Sequence, residues 1–432
     1  MSRKHKRSQV LILAGAQALY QTVSVMLITI GTLAGGRLAP TPGAATLPIA
    51  SMFLGTAVTL VPASLWMARV GRRTGFVAGA IVGGVGGGVA AMGVLHSSLA
   101  VLCAGTFLMG AYMASAQFYR FAAGEVADPS FRSKAISLVL AGGVAAALLG
   151  PFLARWGEPL LDPSYLASFL IMAMTTMMAA GLLTRLDAPV ADRADSSDSH
   201  IPSRPLTEII RQPKFLVALG GAATGYGIMI MAMTATPVAM IQHKHSLAAA
   251  AAVIQLHVLG MFLPSFFTGS LIARLGPTPV MLTGVAILTT HVIATSAGTG
   301  FSSFAIALVL LGVGWNFMYV GGTTLLTTSY SPAEKGKAQA VNDMAIFAVA
   351  TACSFGAGQL LESMGWQRMN VLLVPWLVAA AAALVWLAAW GRHKALTANT
   401  CLETSELSWR STCAEKRTLA AGGTTNHSRV KQ

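Results

Sequence analysis

Ala68-Arg69-Val70-Gly71-Arg72-Arg73-Thr74 is a short basic turn held between two apolar runs, each long enough to cross a bilayer. About two hundred residues later the same frame returns as Ala273-Arg274-Leu275-Gly276-Pro277, again between long apolar runs. A second pair of loops tests the repeat independently. Pro129-Ser130-Phe131-Arg132-Ser133-Lys134-Ala135 and Pro332-Ala333-Glu334-Lys335-Gly336-Lys337-Ala338 recur at nearly the same offset. Two matched loops at one offset predict two halves in parallel orientation, each built from the same set of helices.

The composition places those helices in lipid. The chain has 432 residues, of which 54% are hydrophobic and 10% charged, against roughly one quarter charged in a soluble domain. A hydrocarbon core about 30 Å thick takes roughly 20 apolar residues per helix. Twelve runs of that kind are predicted, at 9–35, 44–68, 75–95, 99–119, 134–154, 164–184, 215–241, 247–272, 279–297, 301–329, 338–361 and 369–390. They lack the alternation of barrel strands, so the fold class is an all-α membrane protein. The glycines from Gly83 to Gly88 lie inside such a run with no G-K-[ST] after them, and read as close helix contact rather than a nucleotide loop.

The net charge of +14 sits in the loops between apolar runs rather than on one polar face, which argues against a nucleic-acid partner. Of 29 lysines and arginines, 25 fall on the side that carries both termini; Arg37, Arg155, Lys244 and Arg368 fall on the other. The expectation is a bacterial inner-membrane protein with both ends in the cytoplasm. Arg3-Lys4-His5-Lys6-Arg7 with Ala16-Gln17-Ala18 imitates a signal peptide, but the apolar region runs on to Gly35 and reads as the first span. Residues 1–184 and 214–390 are taken as six-helix bundles, 185–213 as a flexible cytoplasmic linker, and 391–432, with its lone Trp409, as a disordered tail. Cys103 and Cys353 lie in apolar runs and Cys401 and Cys413 in the tail, implying neither disulfide nor zinc. His243 and His245 are too few for a metal site, and no cofactor is indicated.

At the basic turn the chain resembles the major facilitator superfamily, whose loop between the second and third helices follows G-x-L-x-D-R-x-G-R-[RK]. Arg69, Gly71, Arg72 and Arg73 match it; Ser64, Trp66 and Ala68 depart, and the second copy keeps Gly269, Leu271, Arg274 and Gly276. The resemblance extends to about Gly391. It implies two pseudo-symmetric six-helix bundles that rock around a central site. It also implies that Arg69, Gly71, Arg72, Arg73, Arg274 and Gly276 gate the cytoplasmic face, with Glu125 or Asp128 in place of the acid missing at Ala68; the competing reading is that the arginines only set topology. The run from Gln255 through Phe262 to Gly269 resembles a proteobacterial branch that includes a riboflavin importer. The solute implied is therefore a small organic molecule such as riboflavin, carried by a monomer.

The family's inner helices are the first, fourth, seventh and tenth. In the first, Gln17, Tyr20, Gln21 and Ser24 have i, i+3, i+4, i+7 spacing and share one face. Tyr112 and Gln117 follow in the fourth, Tyr226, Thr234 and Thr236 in the seventh, and Trp315, Asn316 and Tyr319 in the tenth. Flat rings and neutral amides suit a planar, neutral, hydrogen-bonding solute. The competing reading for each ring is helix packing. Gln255 and His257 in the eighth span are further candidates, with interhelical hydrogen bonding as the alternative for His257 and for His291 in the ninth.

Coupling turns on acids. Asp343 is the one acid well inside a span, about six residues into the eleventh and so roughly 9 Å past its inner end. It suits either a proton site or an ion pair with Arg274 or Lys337; Glu362 reads as a solvated cap. The fourth helix has Thr106 where many proton-coupled relatives have arginine, and Arg120 lies nearer its inner end. Gly142, Gly150 and Pro151 match only part of an antiporter motif. A proton-coupled exporter of amphipathic compounds and a transporter-like receptor remain alternatives, and no nucleophile-base pair points to an enzyme.

Overall fold

The computed structural model describes residues 3–128, 132–187, 204–331 and 334–391, and among these every regular element is a helix. They are α1 (Arg3–Leu38), a 3-10 turn (Pro42–Thr46), α2 (Leu47–Val70), α3 (Arg72–Leu95), α4 (Leu99–Ala116), α5 (Tyr119–Val126) and α6 (Arg132–Gly157). Then follow α7 (Leu166–Leu183), α8 (Leu206–Ile210), α9 (Pro213–Gln242), α10 (Leu247–Phe262), α11 (Ser265–Leu275), α12 (Pro277–Ser296), α13 (Phe301–Leu326) and α14 (Lys335–Val371). A last helix, α15, covers 374–391. The expected tail, with Trp409, Cys401 and Cys413, lies outside the described residues, as do most of the linker and parts of both matched loops (129–131 and 332–333).

Ten of the described stretches are long and apolar enough to cross a membrane. The last, Gly336–Gly391, holds two expected spans and turns at Gly365, where φ is +78°. The expected fifth span is α6, 26 residues long. Serine caps start two of the helices: Ser98 accepts from the Val101 N–H and Ser246 from the Ala249 N–H.

Two expected spans are each broken into a pair of helices. The fourth divides into α4 and α5 at Gln117–Phe118. The eighth divides into α10 and α11 at Leu263–Pro264, where proline lacks the N–H that would continue the ladder.

The repeat is visible in the backbone. Gly71 sits at φ +88°, ψ 157° between α2 and α3, and Gly276 at φ +83°, ψ 164° between α11 and α12. That region is essentially reserved for glycine. Each glycine N–H closes its helix the same way, Gly71 onto the Met67 carbonyl at 2.9 Å and Gly276 onto the Ile272 carbonyl at 2.8 Å.

Residues through Ala381 form one compact unit. In its first part α1 packs on α6 and α7, α3 on α4 and α7, and α2 on α4; in its second, α13 packs on α9, α10 and α12, and α14 on α9. The two groups meet along α2–α14, α6–α10 and α1–α9. Glycines set the closest crossings. A Cβ on Gly110 would collide with the Met52 carbonyl and one on Gly55 with the Phe107 carbonyl, while Gly83 lies under the Tyr112 ring. Residues 382–391 belong to a second unit, in which Trp386 and Trp390 stack 6.2 Å apart.

The face away from the N-terminus is sealed. There Gly43 donates its N–H to Glu362, a Cβ on Gly358 would strike the Gly43 carbonyl, and Thr32 Oγ1 donates to the Thr234 carbonyl at 3.2 Å. Glu362 is thus a bridge between the two groups of helices rather than only a solvated cap. On the face that bears the basic turns, by contrast, an open crevice is lined by Arg72 and Glu125 from one group and by Lys337, Gln339 and Asp343 from the other.

Candidate functional site

Midway along the helices lies a cavity lined by both groups of helices, the kind of concave site in which small molecules bind. Its walls differ in chemistry. The first group of helices supplies Gln17, Tyr20, Gln21 and Ser24 from α1, with Gln117 and Arg120 from the broken fourth span. The second supplies Tyr226 from α9, Phe262 from α10, and Trp315 and Tyr319 from α13. Met113, Met229, Met233 and Met261 fill in between, adaptable surface against a flat apolar ligand.

The aromatic wall is ordered by helical spacing. Trp315 and Tyr319, four residues apart on α13, stack with centroids 5.0 Å apart and planes 10° from parallel. Tyr226 meets both, at 6.1 Å and 5.8 Å, and Phe262 stands 6.4 Å from Trp315. On the polar wall Gln117 Nε2 donates to the Tyr20 hydroxyl at 3.2 Å, so the break after α4 carries its amide to α1. Ser24 Oγ donates to the Tyr20 carbonyl within its own helix.

Four expected binding residues lie elsewhere. Tyr112 is buried behind Tyr20, edge to face at 5.6 Å. Gln255 is half-buried on α10, off the cavity wall. His257 donates from Nδ1 to the Leu308 carbonyl at 2.8 Å, and His291 bonds the Ala307 carbonyl and Asn370, so both histidines brace α13. Asn316 serves the helix break: its Nδ2 donates to the Met261 carbonyl at 2.8 Å and to Ser265 Oγ at 2.7 Å, while Thr268 Oγ1 donates to its Oδ1. Pro264 interrupts the ladder above these groups, and Asn316 satisfies what the interruption leaves open.

Arg120 is where sequence reading fell short. Expected only near the inner end of the fourth helix and not among the binding residues, it lines the cavity, with its guanidinium 4.8 Å over the Phe121 ring. Tyr319 and Asp343, both from the other group of helices, are within its electrostatic reach. A cation between Tyr119 and Phe121 in a largely apolar stretch was the available signal. Asp343 itself lines the crevice and accepts from Asn342 Nδ2 at 3.0 Å. Arg274, one of its expected partners, is exposed at the end of α11.

Of the other gating candidates, Arg69 and Arg73 are exposed. Arg72 pairs with Glu125 through Nη2–Oε1 at 2.8 Å and Nε–Oε2 at 3.4 Å, and lies 5.6 Å over Phe118. Asp128, the other acid considered for that role, pairs with Lys6 at 2.5 Å. His243 and His245 lie against Phe304, with His245 Nε2 on the Thr299 carbonyl.

Comparison with known proteins gives a consistent picture. The profile described as Major Facilitator Superfamily matches residues 11–345 and 217–421. The chain is 40% identical over 370 residues to the riboflavin transporter RfnT of Brucella anthropi, covering 85% of this chain and 93% of that protein. It is 31% identical to the uncharacterized MFS-type transporter YdeG of Bacillus subtilis, over 78% of this chain and 80% of that one. Among solved structures the nucleoside transporter NupG superposes with a TM-score of 0.67 at 14% identity, over 87% of this chain and 99% of that chain. A bacterial homologue of the human lysosomal transporter Spinster, inward-facing and unoccupied, also scores 0.67, at 15% identity, over 89% and 97%.

Proposed function

The chain belongs to the major facilitator superfamily, and from that premise we propose that it takes up riboflavin across a bacterial inner membrane by alternating access. It is a secondary transporter, not an enzyme. The observation that carries the solute is the two-sided cavity. A stacked Trp315–Tyr319 pair with Tyr226 offers faces for a tricyclic ring, and Gln17, Gln21 and Gln117 offer amides for its polar edge and side chain. The 40% identity to a riboflavin transporter over 85% of the chain supports the same solute.

Alternating access follows from the two ends of the molecule. With the basic turns in the cytoplasm, the Gly43–Glu362 and Thr32–Thr234 contacts close the outer end while the crevice beside Asp343 opens inward. Residues 1–184 and 214–390 rock as bodies joined by the 185–213 linker, and one copy is the working unit. Arg72 and Glu125 hold the inner end of the first body together in this state; rocking toward the outward-open state brings the basic turns against the other body.

The test is uptake of labelled riboflavin by cells unable to synthesise it, with and without the protein, before and after collapse of the proton gradient. Rescue is expected. Absence of rescue with the protein present in the membrane removes the solute assignment. If Asp343 is the proton site, Asp343→Asn abolishes uphill accumulation yet leaves exchange of labelled for unlabelled riboflavin; unaltered accumulation removes it from coupling.

A further inference from the structure

Arg120 is the one charged side chain among the described residues lining the cavity. Its Nε–H and the indole Nε1–H of Trp315, both on cavity-lining residues, are buried and have no acceptor among the described residues. Buried donors normally find acceptors. The charge is set in a particular frame. The guanidinium rests on Phe121, and Tyr319 and Asp343, both from the other group of helices, act on it electrostatically. Asp343 compensates the charge from the crevice side, which makes burial of the arginine tolerable, because a buried cation without a counter-charge is strongly unfavourable. On the cavity side nothing comparable faces it: the remaining polar groups there are neutral amides and hydroxyls.

We propose that Arg120 is the specificity-determining residue of this cavity: together with Trp315 it selects planar solutes that present hydrogen-bond acceptors, such as ring carbonyls, and it excludes planar cations. The inference rests on the reading of this cavity as the solute site. It does not require the solute to be riboflavin. A carbonyl oxygen or anionic edge accepts from the guanidinium that lines the cavity, and hydrogen bonds to a charged donor are the stronger kind. A flat cation meets like charge in a site of low dielectric, where the repulsion is weakly screened.

The experiment is equilibrium dialysis of purified full-length protein in detergent against riboflavin, which carries ring carbonyls, and proflavine, a tricyclic cation without them. Wild type is expected to hold riboflavin and to bind proflavine at least about tenfold more weakly. Arg120→Gln should lose roughly tenfold or more in riboflavin affinity and admit proflavine. Arg120→Gln combined with Asp343→Asn, which leaves no unpaired charge to unfold the protein, should behave the same way. Arg120→Lys, keeping the charge without the planar fork, should weaken riboflavin while still excluding proflavine.

Restoration of wild-type riboflavin affinity in the double variant would show that Arg120 merely neutralises Asp343, and would overturn the proposal. So would equal binding of proflavine by wild type and by Arg120→Gln. Wild type that holds neither compound, with proflavine admitted only after Arg120→Gln, would sink riboflavin as the solute while sustaining the role of Arg120.

Discussion

Asn316 and Trp315 are neighbours in the chain with opposite duties. Successive residues on a helix point about 100° apart, so when Trp315 and Tyr319 stack on the cavity wall, Asn316 turns toward α10 and α11. Different losses are therefore expected on truncation. Asn316→Ala removes buried bonds to Met261, Ser265 and Thr268 and should destabilise the protein by about 1–3 kcal/mol, seen as a lower melting midpoint in detergent with riboflavin affinity of the folded fraction unchanged. Trp315→Ala should lower the midpoint as well, because the ring is itself buried, but unlike Asn316→Ala it should also weaken riboflavin binding by the folded fraction about tenfold, a stacked ring contributing on the order of 1 kcal/mol beyond its buried area. The reverse pattern would exchange their roles. His257 obeys the same geometry: it points to Leu308 while Ile254, Val258 and Met261 of the same helix face the cavity.

Turns and breaks are where helices acquire function here. Gly71 and Gly276 hold positive φ, which costs a residue with a Cβ roughly 1–2 kcal/mol. Gly71→Ala and Gly276→Ala should therefore each lower the melting midpoint, whereas Gly220→Ala, in the interior of α9 with open space around it, should not; equal effects at all three would mean the turn conformation is unimportant. A second device anchors the linker. Gln9 accepts the Asp187 N–H at one end of it, and at the other Glu334 accepts from Arg204 Nε at 2.8 Å, Nη2 at 2.9 Å and its backbone N–H at 3.0 Å. The Arg204 side chain, then the Ser331 N–H, hold the Glu334 carboxyl well below the usual carboxylate range. A lowered folded value means the contribution of this clamp is complete above the ordinary glutamate value of about 4.3. It fades only as pH falls below that value and through the depressed one. Hydrogen exchange over residues 204–210, corrected for intrinsic rate, should stay slow from neutrality to about that pH and become fast at neutral pH in Glu334→Ala. Fast exchange in wild type at neutral pH would show that the clamp does not hold.

For the molecule as a whole, transport requires the sealed end to open. Gly43→Cys with Gln359→Cys, in a background with Cys401 and Cys413 replaced by serine, places two thiols where the 3-10 turn meets α14. Oxidation should stop uptake and reductant should restore it. Persistence of uptake with the crosslink formed would mean that this end does not move. The doubled helical architecture was legible in the amino-acid order because lipid leaves each span to satisfy its own backbone, so apolar run length reads directly as structure. The two turn glycines were legible for a similar reason: a positive φ is a local demand, met by a local residue. The shared face of Gln17, Tyr20, Gln21 and Ser24 was likewise a matter of spacing along one helix. Periodicity is silent on which neighbour a face meets, so Tyr112, Gln255, His257 and Asn316 were indistinguishable from cavity residues until the helices packed. The breaks at Gln117–Phe118 and Leu263–Pro264 decided the rest. The first brings Arg120 to the cavity, opposite an acid more than two hundred residues away. The second gives Asn316 its acceptor. Both outcomes come from contacts between segments remote in the chain, and only packing brings those together.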